Sequence, residues 1–240
     1  MTETNLILAV ETSSRVGSVA IAHGDKLLGE TVFSAPLKHS AELFPAINEL
    51  LDRHGHEPGQ IEHIYISGGP GSFTGLRISA AFAKTMHLAN AAEIVSVDTL
   101  DAVAANVINF SEENTRPAHE RIAVIVDAKR GQFFIAAYER SAPGGVWTKV
   151  LPDCLMTTSQ FLARFAGKDN PICLLGDGLV YYQDKFKAEG VSFFDEDYWS
   201  PRAAKIHLLG RQKAIRGEFA DPLTLTPNYL RRPDAKVKPS

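Results

Sequence analysis

Two cysteines in 240 residues are too few for a disulfide framework, and both lie in apolar settings, Cys154 in "PDCLM" and Cys173 in "PICLL". Such thiols fit a reducing compartment and read as inert core residues. No apolar run approaches the length that crosses a bilayer. The first residues, "MTETNLILAVETSS", carry neither a basic leader nor a cleavage pattern. The expectation is a cytoplasmic protein with no membrane partner. Charge of one sign is also missing, since 25 Lys and Arg against 28 Asp and Glu leave a net −3. That argues against a domain which holds nucleic acid by charge alone. The one basic cluster, Arg231, Arg232, Lys236 and Lys238 around Asp234, reads as a solvated tail.

Several chemistries lack their residues. No Gly-Lys-Ser/Thr follows the glycine-rich stretch "ISGGPGSFTGLRIS" (66–79), so it is not a Walker A loop. Its glycines Gly69, Gly71 and Gly75 are spaced G-x-G-x-x-x-G, which is not the dinucleotide fingerprint. There is no G-x-S-x-G elbow, no H-E-x-x-H and no paired C-x-x-C. His54, His56 and His63 are close in sequence, but His54 and His56 flank Gly55 in a loop and read as solvated.

What is present is an ordinary globular composition, 45% apolar and 22% charged, with a repeated pattern. Three strand-like runs (6–10, 18–22, 26–33) precede an amphipathic helix over 40–53, in which Leu43, Ile47, Leu50 and Leu51 recur at helical spacing. Ser40 is a plausible N-cap there, and Pro45 would kink the helix if it lay beyond the first turn. A buried strand at 61–66, the glycine loop, a helix over 72–89, a strand at 93–97 and another helix follow.

Around Arg121 the order restarts. "IAVIVDAKRGQFFIAAYE" repeats the form of "LILAVETSSRVGSVAIA", with Asp127 in the place of Glu11. Next come a third strand, a capped helix at "TTSQFLARFAG", the strand "PICLL", and a helix with Ser200 as cap and Pro201 at its first position. An internal duplication follows: a first lobe over 1–110, a polar linker over 111–120, and a second lobe over 121–240 whose last residues fold back onto the first.

Three features carry candidate chemistry. Strand, glycine turn and helix N-terminus together present free N–H groups, so Gly69, Gly71 and Ser72 form a weak anion-site candidate; the other reading is a tight turn in which glycine supplies positive φ and close packing. Glu11 and Asp127 end strands, where acids either hold magnesium or position water, or serve as hydrogen-bonded structural groups. Third, the helix "FTGLRISAAFAKTMHLA" is apolar or small nearly all round, so it must be covered on more than one side. Either it and the 40–53 helix cover each other, or together they face a partner.

The block "SGGPGSFTGLRISAAFAKTMHLA" resembles the TsaB (YeaZ) family, the non-catalytic member of the bacterial machinery that makes N6-threonylcarbamoyladenosine in tRNA. Similar stretches are "LAVETSSRVGSVAI", "KHSAELFPAINELL", "VDAKRGQFFIAAY", "GDG" at 176–178 and "PNYLR". Glu11 stands where that family usually has aspartate. The resemblance implies an α/β, actin-like ATPase (ASKHA) fold of two ribonuclease H-like lobes with mixed sheets flanked by helices. It also implies an accessory subunit with no catalytic residue, cofactor or metal of its own. Its partners would be TsaD, which transfers threonylcarbamoyl to adenosine 37 of tRNAs reading ANN codons, and the ATPase TsaE. ATP or ADP and a metal are expected on those subunits, and tRNA is met through the complex.

TsaD binds its metal with an H-x-x-x-H pair, and the matching "SVDTLDAVAANV" holds no histidine. The expected partner face is Leu43, Phe44, Ile47, Leu51, Leu76, Ala80, Ala83 and His87, with a homodimer through the same helices when the partner is absent. The alternative is a nucleotide-hydrolysing or metallopeptidase-like (glycoprotease-type) enzyme.

Overall fold

The computed structural model describes residues 5–35, 38–108, 119–141 and 145–231. The expected linker at 111–120, apart from 119 and 120, and the basic tail beyond Arg231 lie outside the described residues.

β1 (Leu6–Glu11), β2 (Ser18–His23) and β3 (Lys26–Val32) form an antiparallel meander. α1 (His39–His54) leads to β4 (Ile61–Gly69), which runs parallel to β1; α2 (Phe73–Asn90) leads to β5 (Glu93–Asp98), parallel to β4. The sheet order is therefore β3-β2-β1-β4-β5. After α3 (Thr99–Ala104) the second half repeats it with β6 (Arg121–Asp127), β7 (Gln132–Arg140), β8 (Trp147–Thr157), α4 (Thr158–Phe165), β9 (Ile172–Leu175), α5 (Leu179–Tyr182) and β10 (Val191–Phe193). That sheet reads β8-β7-β6-β9-β10, the same order with the same mixture of parallel and antiparallel pairs. Two such lobes match the expected pair of mixed sheets flanked by helices.

Strand β1 has no exposed residue, because both faces of its sheet are covered. Leu6, Leu8 and Val10 join Leu43, Ile47, Leu50 and Leu51 of α1 and Ala80 and Ala83 of α2. Ile7 and Ala9 join Ala203, Ile206 and Leu209 of the last helix, α6 (Ala203–Ile215). The return of the chain to the first lobe, expected of the last residues, thus includes the whole of α6. α6 comes from the second half of the sequence but packs on the first sheet. Arg202 binds Glu30 of β3 at 2.7 and 3.2 Å, and the Ala204 N–H donates to the same carboxylate at 3.1 Å. α6 also begins later than expected, with Arg202 at its N-cap and Ser200 and Pro201 ahead of it. In exchange, Leu100, Val103 and Ala104 of α3 pack into the second lobe's core.

Pro45 lies inside α1 but faces solvent, where water can satisfy the carbonyl its missing N–H leaves free. α1 begins one residue earlier than read, with Lys38 and not Ser40 at its N-cap. Thr157 caps α4 through a reciprocal box with Gln160.

Candidate functional site

The glycine loop meets the β1–β2 turn almost backbone to backbone. A Cβ on Gly75 would lie 1.7 Å from the Thr12 carbonyl oxygen, and one on Gly71 would lie 2.4 Å from that of Ser13. Only glycine fits. The Ser72 N–H donates to the Ser13 carbonyl at 2.7 Å, the Ser72 hydroxyl accepts from the Gly75 N–H at 3.3 Å, and the Thr12 hydroxyl donates to the Gly75 carbonyl at 2.8 Å. Two donors that an anion at this helix start would use are thus already engaged. Gly69 lies under the C-terminal segment, where the Asn228 N–H donates to the Gly68 carbonyl at 2.7 Å.

Beside this contact a cleft of about 690 Å³ opens between the lobes. Ser13, Arg15 and Ser72 line one wall, Asp127, Lys129 and Asp177 the other, and Asn228–Arg231 crosses its edge. Acids lie in and beneath it, and the Asp177 Oδ1 is buried without a hydrogen bond. Glu11, beneath the turn, accepts from the Ser13 hydroxyl at 2.6 Å and from the Ser13 N–H, and burial pushes its carboxyl up to about 7. The Glu11 Oε2 is buried without a hydrogen bond. The Asp127 carboxylate accepts from the Lys129 N–H and ammonium, each at 2.7 Å. Burial likewise raises Asp177 to about 6. Both strand-end acids therefore accept hydrogen bonds from the turn that follows them. Asp177, Arg15 and Tyr181 carry no sequence signal beyond the "GDG" glycines and a basic turn; only the fold brings them together.

The expected partner face is corrected residue by residue. Leu43, Ile47, Leu51, Leu76, Ala80 and Ala83 are buried in the first lobe, with Ala83 wholly inaccessible. α2 is covered on two sides by β4 and α1, so its apolar girth serves its own core. Of the eight residues, Phe44 is 58% exposed and His87 is half-buried, with its Nδ1 3.0 Å from the Ala92 carbonyl oxygen. The outer faces instead carry Ala41, Phe44 and Pro45 on α1 and Thr74, Arg77, Ala81, Thr85, Leu88 and Ala89 on α2, with Leu88 84% exposed. Phe44 stands edge-on to Phe82 at 5.6 Å and bridges the two helices.

A family model described as "TsaD: tRNA N6-adenosine threonylcarbamoyltransferase" matches residues 34–238. The tRNA threonylcarbamoyladenosine biosynthesis protein TsaB of Bacillus subtilis (strain 168) is 30% identical over 97% of this chain and 96% of its own length. The chain belongs to the TsaB family. The TsaB protein of Escherichia coli (strain K12) is 23% identical over 92% of this chain and 95% of its own length. Among solved structures, YeaZ from Pseudomonas aeruginosa shares the TsaB fold of this chain, with a TM-score of 0.74 and 22% identity over 94% of this chain and 99% of that one. Among the described residues, no helix is long and apolar enough to cross a membrane.

Proposed function

We propose that this chain is a non-catalytic scaffold subunit in tRNA threonylcarbamoyladenosine synthesis, pairing with a TsaD-type transferase and, through it, a TsaE-type ATPase. The observation that carries the non-catalytic part is the glycine loop: Gly71 and Gly75 press against the Ser13 and Thr12 carbonyls, and the Ser72 N–H donates to Ser13. The names of its relatives support the pathway. Nucleotide and metal belong, in this reading, to the partner subunits, and tRNA reaches the chain only through the assembly.

The docking face is the outer side of α1 and α2. An exposed phenylalanine on α1 and an exposed leucine on α2 are the kind of anchors that protein interfaces bury. In isolation the same face pairs two copies of the chain.

The test is co-purification with TsaD, using Phe44→Glu, Leu88→Glu and the double variant. Each single change is expected to weaken pairing more than about tenfold, as loss of an anchor residue does, while the thermal unfolding midpoint holds. Unchanged pairing in the double variant rejects this face. ATP hydrolysis by the isolated chain with magnesium would overturn the scaffold reading in favour of a nucleotide-hydrolysing enzyme. Size-exclusion chromatography with and without TsaD tests the homodimer.

A further inference from the structure

His23 is the last residue of β2, and His56 follows the C-terminus of α1, 33 positions along the chain. Their Nε2 atoms face each other at 3.2 Å, with ring centroids 4.9 Å apart and planes inclined by 72°. Both rings are half-buried, so one side of the pair meets solvent.

Neither backbone is free to drift. His23 is held between Leu6 of β1 and Lys26 of β3 in the sheet register. His56 is set by the left-handed Gly55 (φ 71°), whose N–H donates to the Asp52 carbonyl at 3.2 Å, and by its own N–H to the Leu51 carbonyl at 2.9 Å. The two imidazoles thereby extend from backbone that the sheet and the α1 C-cap hold in place, as a metal site requires.

Their separation matches a coordination edge. At a zinc–nitrogen bond of about 2.0–2.1 Å and a tetrahedral angle, two ligating nitrogens lie about 3.3–3.4 Å apart. We propose that His23 and His56 form a two-histidine site for a divalent transition-metal ion of the zinc type. Among the described residues no third His, Cys, Asp or Glu completes a cluster, so water fills the remaining positions.

Without the ion, one imidazole donates its Nε2 proton to the other. On binding, that ring carries its proton on Nδ1 instead, so both Nε2 lone pairs face the cation and no net proton is released. The ion ties the end of β2 to the end of α1.

The experiment is calorimetric titration of the untagged, metal-stripped full-length chain with Zn²⁺, with Co²⁺ absorption as the coordination readout. One ion per chain is expected, with near-zero proton release at mildly alkaline pH and a raised melting temperature, since the ion binds the folded state. His23→Gln and His56→Gln should each weaken binding more than about tenfold. Their metal-free melting temperatures should match the wild type, which separates loss of the site from loss of the fold. No saturable binding by the wild-type chain, or unchanged binding in both variants, overturns the site.

Discussion

Glu11 shows how one side chain records the turn built over it. Its ordinary value of 4.5 is pushed up to about 7 by burial. Between those values the folded chain keeps a proton that the unfolded chain has released, so stability falls as pH rises through this window and levels off above it. Each pH unit between the two values is worth about 1.36 kcal/mol, so the loss above the window reaches about 3 kcal/mol. Glu11→Gln keeps an oxygen to accept from Ser13 and removes the titration. Urea unfolding at about pH 6 and about pH 8 should therefore show a smaller difference for the variant than for the wild type. Equal differences would place the titration elsewhere; Asp177 and Asp153, both raised to about 6 by burial, act mainly below that range. The glycines give a second test. Gly75→Ala forces a methyl against the Thr12 carbonyl and should cost about 3 kcal/mol or more, beyond ordinary overpacking. Gly59→Ala, with open space around it, should stay within about 0.5 kcal/mol.

At the scale of the element, α2 is where the sequence pattern reached its limit. Periodicity located the helix, which Ser72 caps by accepting from the Gly75 N–H. Its near-continuous apolar girth said that it is covered on several sides, but not by what. In the folded chain β4 and α1 supply the cover, so Ala83 faces inward and Leu88 faces water. Ala83→Glu should therefore abolish cooperative unfolding, because it buries a charge among apolar side chains. Leu88→Glu should change stability by no more than about 0.5 kcal/mol. Circular dichroism melts of the two variants decide this directly. One cap was readable, since a Thr-x-x-Gln box is a local device: Thr157 and Gln160 bond each other's backbone N–H groups as their spacing suggests, whereas Ser40 and Ser200 do not cap their helices. Thr157→Ala should cost about 1 kcal/mol in urea denaturation.

Across the whole molecule the two halves exchange helices: α6 covers the first sheet and α3 enters the second core. The first lobe is consequently incomplete without α6. A fragment ending before residue 200 should expose Ile7, Ala9, Ala20 and Val95, bind a hydrophobic dye and lose its cooperative transition, whereas an independent lobe would melt as a unit. The duplicated order of elements was legible because strand and helix periods, turn residues and caps act over a few positions. So were the apolar runs that must be buried on both faces. The partners of those elements were not legible: a helix pattern names a buried face without naming the surface that buries it. The cleft beside Asp177 and the His23–His56 pair join residues distant in sequence, so only the packed chain sets their distances. Glycine needed the same context. Local sequence by itself determined where the chain must turn after β4, whereas the carbonyls of Thr12 and Ser13, arriving from another strand, decided that the loop packs against protein backbone.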